Sequence, residues 1–561
     1  MKRLESWKQI AAYLGKDIRT AQLWEKNEGL PIHRQTHTAR ANVFAYDAEL
    51  DAWVRARQSP PAAVAVDRVS RRWPLRVGIG AGLLGLALVL ALAVRPRERL
   101  PAAGAVVAVL PFTDLGGSDD HLADGLTDDI IVTLGRAGKL PIISRTSTAG
   151  FRQTSVSLPR IAEALHATAV VEGTLQRSGN HVRITADLVD VRTDRRLWSE
   201  DYERDLSDVL SVQDEVAAAI SGSVLERLTG QASPKLRSTR PVDPDARLAY
   251  LTGRYFWAKR NEAGLTKAIA YFTQAIAKDS LYAPAYSGLA DSYTLLSVWG
   301  SLSSRDAFPK AEAAARRALA LDSNSAEAYT SLAIVTARWD WNFAGADADF
   351  RRAIAANPNY ATAHQWYGEF LGDLGRGDTS IAESRRAVAL DPLSAIAGGD
   401  LAVAYIHAGR AKDAVAELRR VLTFQPDFEP AHDYLGSAYL ELGDFQQAEA
   451  EVRAVTRLMR DTTRLGILHI YEKLAGGQKQ EAIDEAEAIL RGAKEAEFGP
   501  YQVAQIYFTV GENEKGYAAL ERAYRDHDWV MVNLLVDEGF APVRREPRFR
   551  AMVRRVGLPT A

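Results

Sequence analysis

Arg19, Gln22 and Lys26 are the side chains whose type and spacing most directly suggest chemistry. They lie on a helix predicted over about 18–27, and residues three and seven apart share one face of a helix. Arginine and glutamine hydrogen-bond to base edges and phosphates, and an α-helix fits the major groove of DNA. This polar face therefore predicts a DNA-reading helix.

A basic stretch follows that helix and holds Arg34, His37 and Arg40. Next to it, the alternation at 42–46 predicts a strand, so the two segments together predict a hairpin wing. A solvated surface is the alternative for scattered charges. A metal site is a further alternative, but we expect His33 and His37 in a strand without cysteine or acidic partners. The order of the elements favours DNA.

Two further helices position this face. Ser6 and Gln9 form a capping box that starts a first helix, and Asp47 is expected to cap a closing one. The sequence SWKQIAAYLGKDIRTAQLWEKNEGLP, followed by a wing and YDAELDAW, resembles the MerR/excisionase-type winged helix-turn-helix over residues 1–58. The resemblance implies a DNA-binding domain. It places Arg19, Thr20, Gln22 and Lys26 on the major groove and Arg34, His37 and Arg40 at the wing, against the backbone or minor groove.

The residue types needed for catalysis are not arranged for it. The chain has no cysteine, which excludes thiol catalysis, disulfides and Cys-ligated metals. It also has no nucleophile elbow and no P-loop. An acidic run raises the alternative of a cation site, but carboxylates in the first turns of a helix favour its dipole, and no third ligand converges with Asp124 and Asp128. We therefore expect no enzyme, no cofactor and no metal. The run comprises Asp119, Asp120, Asp124, Asp128 and Asp129.

Residues 75–94 are long and apolar enough to span a bilayer as one helix, with a buried soluble helix as the alternative. Six arginines lie at or just before the start of the segment, at 55–76, and three lie just after it, at 95–99, which predicts a cytoplasmic amino end. Gly78 and Gly82 form a small-residue face that would allow a homodimer. The sequence thus predicts a single-pass protein of the bacterial inner membrane, with a linker at 59–74 and an extracytoplasmic C-terminal region.

The segment 102–230 predicts a mixed α/β domain. VAVLPFTDL, VVEGTLQRSGNHVRITADLVDVRTDRRLWSEDYERDL and QDEVAAAI resemble the TolB amino-terminal/FlgO-like domain, which implies a non-catalytic interaction role. Strands are expected at 105–112, 140–144, 169–175, 182–189 and 195–202, and helices at 119–135, 158–166 and 207–228.

The C-terminal part of the chain repeats. Helices end in AIAKDS, ALALDS, AIAANP, AVALDP and VLTFQP, which begin at positions 275, 318, 353, 387 and 421. The last three intervals match the tetratricopeptide repeat, abbreviated TPR, which is a helix–turn–helix unit of about 34 residues. This resemblance predicts an α-solenoid over 246–532 with a C-terminal cap at 533–561. An insertion is expected at 298–304. A solenoid of this kind presents a concave groove that binds a protein or peptide.

The composition fits this modular reading. The chain has 561 residues, which is long enough for several domains. Its net charge of −2 does not indicate nucleic-acid binding by the chain as a whole. The expected fold class is multidomain: a small winged helix-turn-helix, a single transmembrane helix, an α/β domain and an α-solenoid of TPR repeats. The expected function is a membrane-anchored DNA-binding transcriptional regulator, resembling ToxR-type and CadC-type proteins. The alternative is a membrane-tethered TPR scaffold or assembly protein without regulatory DNA binding.

Overall fold

The computed structural model divides the chain into two compact units, Met1–Pro96 and Arg97–Ala561. Each unit is described by itself. The residues that the structure describes are 3–4, 6–14, 30–35, 42–51, 104–116, 120–152, 154–178, 181–205, 209–230, 242–299, 302–459, 463–492 and 499–559.

The first unit contains a three-stranded antiparallel sheet beside a short helix. The strand order is β1-β3-β2, with β1 at Arg3–Leu4, β2 at His33–Gln35 and β3 at Asn42–Tyr46. Helix α1 (Trp7–Tyr13) begins after Ser6, whose Oγ accepts a hydrogen bond from the Gln9 N–H at 3.3 Å. The structure confirms the predicted helix capped by Ser6 and the predicted strand at 42–46. Its core consists of Leu4, Ile10, Ala11, Leu30, Ala45 and Leu50.

The second unit begins with a mixed sheet. Its strands are β4 (Val107–Val109), β5 (Thr113–Asp114), β6 (Ala169–Ser178), β7 (His181–Asp190) and β8 (Arg195–Asp205). Both β4 and β5 run parallel to β6, whereas β6, β7 and β8 form an antiparallel meander. All three residues of β4 are buried, and alternate residues of a strand point to opposite faces. Both faces of this sheet therefore carry apolar side chains and must be covered.

Helices cover both faces of this sheet. On one face, α2 (Asp120–Ala137) and α5 (Val209–Thr229) bury Leu126, Ile130 and Ile220 against it. A second apolar cluster lies on the other face and includes residues of α4 (Leu158–Ala164). Along the chain, α3 (Arg145–Thr148) and a 3-10 turn at Ala149–Phe151 lie between α2 and α4.

The strand expected at 140–144 is not formed. Ile142 makes only an isolated parallel bridge to Val107. On the outer side, the Ile142 N–H donates to Asn359 Oδ1 at 3.2 Å, and the Leu140 carbonyl accepts from Asn359 Nδ2 at 3.0 Å. A side chain from the helical region therefore satisfies the backbone groups that a further strand would have used, and it covers the sheet edge.

The helical region confirms the predicted TPR solenoid. The described residues contain eight antiparallel helix pairs, and the first helices of the fourth to seventh pairs begin at 361, 395, 429 and 463, which keeps the repeat period constant. A last helix, α22 (Pro547–Val556), follows the pairs. The pairs are α6 (Pro244–Trp257) with α7 (Glu262–Lys278), α8 (Ala283–Trp299) with α9 (Ser304–Leu321), α10 (Ala326–Arg338) with α11 (Phe343–Ala356), α12 (Ala361–Asp373) with α13 (Gly377–Leu390), α14 (Ala395–His407) with α15 (Ala411–Phe424), α16 (Glu429–Glu441) with α17 (Phe445–Met459), α18 (Thr463–Ala475) with α19 (Lys479–Gly492) and α20 (Pro500–Val510) with α21 (Asn513–Asp526).

Glycines set the turns and the spacing of these helices. The turn between the two helices of each later pair has a glycine with positive φ, a conformation that costs other residues free energy. At helix crossings, glycine leaves room for large rings: a Cβ on Gly253 or Gly288 would lie 2.6 or 2.5 Å from a ring carbon of buried Phe272. The turn glycines recur at the repeat period and are Gly375, Gly409, Gly443, Gly477 and Gly511.

The loops between repeats hold the solenoid to the α/β layers. Besides its bonds to 140–142, Asn359 donates to the Gly135 carbonyl at 3.2 Å. One repeat further along, Ser147 Oγ donates to buried Asp391 and accepts from the Leu393 N–H at 2.9 Å. Burial raises the pKa of Asp391 to about 6. Asn359 directly follows the AIAANP motif, and Asp391 belongs to the AVALDP motif. The segments that end these two repeats therefore also form the interface.

Replacing Asn359 with alanine tests this interface. We expect the melting midpoint of the second unit to drop and its stability to fall by about 2 kcal/mol or more, because three buried backbone groups lose their partner. Hydrogen exchange should also accelerate at the Ile142 amide. Asn324 occupies the corresponding position of the preceding loop and is exposed, so Asn324→Ala is the matched control. Equal effects of the two substitutions would contradict the interface.

Candidate functional site

The first helices of the repeats form the inner layer of the solenoid. Each of α8, α10, α12 and α14 packs against the first helix of the next repeat as well as against its own partner. Side chains that point away from both contacts line a common surface, which we call the concave groove. Polar residues at this surface or buried directly beneath it include Tyr250, Arg254, Asp291, Glu327, Arg338, Gln365, Glu369, Asp373, Asp400 and His407.

Two arginines lie at the amino-terminal end of the groove. The guanidinium carbons of Arg260 and Arg254 are 3.8 and 4.4 Å from the ring centroid of Trp257. Arg260 also lies within electrostatic reach of Asp291 and Asp400, and its burial lowers its pKa to about 10. Residues from the first, second and fifth repeats therefore converge here.

Asp291 is the most deeply buried acid of the groove, with no exposed surface. One of its oxygens accepts a hydrogen bond from Ser331, whereas Oδ2 has no hydrogen-bond partner. Thr294 Oγ1, one turn further along α8, and the Tyr360 hydroxyl are likewise buried without a partner. Burial raises the pKa of Asp291 to about 6. This part of the groove holds polar groups that the described chain leaves unsatisfied.

Three carboxyl groups at the centre of the groove, those of Glu369, Asp373 and Asp400, lie within electrostatic reach of one another. Glu369 pairs with Arg338, and Asp400 accepts a hydrogen bond from Gln365 Nε2 at 2.7 Å. Asp373, which is only 6% exposed, forms no hydrogen bond with the described residues. Burial, and then repulsion from Glu369, raises the pKa of both Asp373 and Asp400 far above the usual range. Arg338 and Arg260 both lie within electrostatic reach of Asp400, so two arginines face three carboxyl groups.

The acidic character continues towards the sixth repeat. His407 lies between Glu369 and Glu538, and burial lowers its pKa to about 4, so it is neutral at pH 7. Beyond it, burial, and then repulsion from Glu538, raises the pKa of Glu441. A neutral histidine therefore lies within electrostatic reach of two acidic side chains.

The chain's own C-terminal segment covers one edge of the groove. The 3-10 turn Trp529–Leu535 packs against α10 and α12, with the Trp529 ring centroid 4.6 Å from the Arg338 guanidinium carbon. In the last repeat, Tyr501 donates to Asp537 at 3.5 Å and packs its ring against Phe540. The segment thus fixes Arg338 in place.

Three aspartates of the acidic run, Asp124, Asp128 and Asp129, form ion pairs. Asp124 and Asp128 both pair with Arg145, at 3.4 and 2.6 Å, and Asp129 pairs with Arg247 of the first repeat. Within the described ranges, no group of three or more His, Cys, Asp or Glu side chains is arranged to hold a metal ion. These aspartates therefore act in packing the α/β layers and the solenoid.

Most of the predicted DNA-binding residues lie outside the described residues. Of that set, the structure places only Arg34, in β2 opposite Val43. The prediction that His33 has no acidic partner is wrong: its Nε2 lies 2.7 Å from Glu49 Oε2, and its ring stacks on Phe44. The remaining residues, Arg19, Thr20, Gln22, Lys26, His37 and Arg40, are not described.

The predicted membrane span also falls outside the described ranges. Residues 75–94, with Gly78 and Gly82, are not among them. In the part of the chain that the structure does describe, no helix combines the length and the apolar character that a bilayer crossing requires. The span, its orientation and its pairing face stay predictions.

Sequence comparison gives one partial match. No protein-family model matches the chain. Over 157 residues, 28% of its length, the chain is 34% identical to a protein of Rhizobium meliloti (strain 1021) named "Putative adenylate cyclase 3". The match spans 27% of that protein, about a quarter of its length. The prediction that the chain is not an enzyme is contradicted by this match, because the relative has an enzyme's name.

Solved structures with similar helices include two described as TPR proteins and one described as a pilus biogenesis factor. The pilF protein of Pseudomonas aeruginosa is 18% identical, with a TM-score of 0.31, and covers 38% of this chain and 92% of its own. PilW, described as a type IV pilus biogenesis factor, is 19% identical, with a TM-score of 0.31, and covers 38% and 94%. YrrB, described as a TPR protein, is 22% identical, with a TM-score of 0.26, and covers 36% and 97%. With TM-scores this low, the repeat assignment rests on the helix pairs of the chain itself.

The central acids make a prediction about pH. A carboxyl whose pKa is raised by folding holds its proton in the folded state and loses it on unfolding, so stability falls as pH rises. We expect the unfolding free energy of the second unit to decrease from about pH 5 to pH 8, and Asp373→Asn with Asp400→Asn to make this decrease smaller by on the order of 1 kcal/mol. Denaturant titrations at several pH values measure it.

Asp427→Asn is the control for that experiment, because Asp427 is exposed in a loop between repeats. It should keep the wild-type slope. Parallel slopes for the wild type and the double variant would show that the two buried acids do not titrate as described.

Proposed function

We propose that the chain is a protein-interaction scaffold whose concave groove binds a segment of a partner protein. The observation that carries this proposal is the Asp373 carboxyl, which is 6% exposed at the groove and forms no hydrogen bond with the described residues. Such a group costs free energy in the free protein. A bound segment that supplies hydrogen bonds and charge recovers that cost, so binding is favoured at this surface.

The groove also has the rigidity that recognition needs. Its walls are helices on both sides, held at one edge by the α/β layers through Asn359 and at the other by the turn at Trp529–Leu535. A binding surface that is already ordered loses little conformational entropy when a partner arrives. The proposal therefore assigns the α/β layers a supporting role in binding.

A photoreactive amino acid at Val403 tests the proposed function. Val403 lies one turn before His407 on the inner helix of the fifth repeat and is partly exposed. In growing cells, illumination should attach a discrete set of proteins to this position, because the partner segment lies within reach. Adducts are read as shifted bands and identified by mass spectrometry.

The matched control places the same amino acid at Ala416, which is exposed on the second helix of that repeat. This position faces away from the groove and should give no comparable bands. Equal labelling at the two positions, or none at Val403, would rule out the groove as the partner site.

DNA binding by the first unit is a second candidate function. A capped helix and an antiparallel hairpin over a common core are the elements expected of a winged helix-turn-helix, which favours this candidate. On this proposal, residues 1–58 contact DNA, residues 75–94 anchor the chain in the inner membrane, and Gly78 and Gly82 bring two copies together. The solenoid then acts as the sensing region of a regulator.

Selection of DNA from a random pool by the full-length protein tests the second candidate. If one sequence is enriched, Arg19→Ala and Lys26→Ala should each weaken its binding by about 1–3 kcal/mol where the side chain contacts a base. Arg160→Ala removes an exposed arginine from the second unit and should change nothing. A pool without enrichment, or variants that bind as the wild type does, would leave only the scaffold.

A further inference from the structure

We propose that the concave groove binds a lysine- or arginine-bearing segment of the partner, with a cationic side chain seated between Asp373 and Asp400. This inference rests on the proposed function and names the chemistry of the partner. The surface concerned, which we call the acidic stripe, comprises Glu369, Asp373, Asp400, Glu441 and Glu538.

The charge balance of the acidic stripe favours a cation. Among the described residues, two arginines form ion pairs with its five carboxyl groups: Arg338 with Glu369 and Arg544 with Glu538. The remaining three have no cation within ion-pair distance in that part of the chain, and the positive charge nearest to them is that of Arg338, which acts on Asp373 and Asp400, and of Arg260, which acts on Asp400. Carboxylates that share a site repel one another, and a positive charge placed among them relieves that repulsion. An acidic partner would meet the same repulsion and be excluded.

The burial of Asp373 shows where the cation belongs. This side chain is more than nine-tenths buried, projects from the groove face one turn after Glu369, and receives no hydrogen bond from the described residues. Asp291, at the other end of the same groove, has a second buried oxygen without a partner. Folded proteins normally satisfy such groups. An ammonium group carries three donors and a guanidinium five, so either one supplies the hydrogen bonds that the Asp373 carboxyl lacks.

The arrangement fits a peptide better than a free metal ion. Within the described part of the chain, the carboxylates do not come together in a group of three that would coordinate a metal. They are instead spread along three successive repeats, from buried Asp373 to exposed Glu441. A long, flexible side chain can reach the buried acid while the peptide backbone follows the exposed ones. The stripe therefore suits an extended segment with several basic residues.

Three labelled peptides test the inference on the full-length protein. Each has about twelve residues and alternates glycine with lysine, glutamine or glutamate, and binding is measured by fluorescence anisotropy at low and high salt. The lysine peptide should bind at least about tenfold more tightly than the glutamine peptide, and the preference should shrink in high salt. The glutamate peptide should not bind.

Two substitutions locate the binding. Asp373→Asn with Asp400→Asn should weaken the lysine peptide by at least about tenfold, while the melting midpoint at pH 8 stays the same or rises, because buried charges are removed. Asp427→Asn, on an exposed loop, should alter neither quantity. A purely structural role for the two acids would instead lower the melting midpoint, so the two readouts separate binding from folding.

The outcomes are distinct. Equal binding of the lysine and glutamine peptides, or a double variant that binds as the wild type does, overturns the inference. If cells still give adducts at Val403 in that case, the proposed function stands and the partner has another chemistry. If Val403 gives no adducts, the proposed function fails as well.

Discussion

A pair of helices in a solenoid cannot bury both of its faces, and the rest of this structure depends on how the two ends of the array are covered. At the amino-terminal end, Asp129 of α2 pairs with Arg247 of the first repeat. At the other end, α22 closes the last repeat through its buried Phe549 and through the ion pair between Arg555 and Glu521 at 2.5 Å. The cap thus joins the apolar core of the solenoid, whereas the α/β layers keep apolar clusters of their own and meet the solenoid mainly through polar contacts.

The concave groove differs from the interface between the solenoid and the α/β layers. At that interface, the polar side chains described above are satisfied: the Asn359 amide makes three hydrogen bonds, and Ser147 serves both Asp391 and Leu393. In the groove, Asp291 Oδ2 is buried without a hydrogen-bond partner, and burial raises the pKa of Asp291 and Asp373. A buried polar group without a partner lowers stability. This contrast distinguishes the groove from the interface.

The sequence predicted what depends on local patterns. The Ser6 cap, the meander β6 to β8 and the repeat period all follow from neighbouring residues, and the turn glycines from Gly375 onwards provide a further signal at that period. The groove could not be predicted in the same way. Glu369 and Asp400 have the spacing of exposed residues on amphipathic helices, and only the curvature of the array brings them together. The missing strand at 140–144 has a similar cause, since its partner is the Asn359 side chain, which is distant in the sequence.

Closure of the array links its curvature to the groove. The His527 ring stacks on Trp341 at 4.1 Å, so the turn after the last repeat contacts the third repeat, and Trp529 follows directly to cover Arg338. Because Arg338 is the ion-pair partner of Glu369, this contact also sets how much of the central negative charge is neutralised. A shift of the C-terminal segment would therefore change the shape of the groove and its charge at the same time. The affinity of the groove for a cation is thus coupled to the packing of a segment that lies far away along the chain.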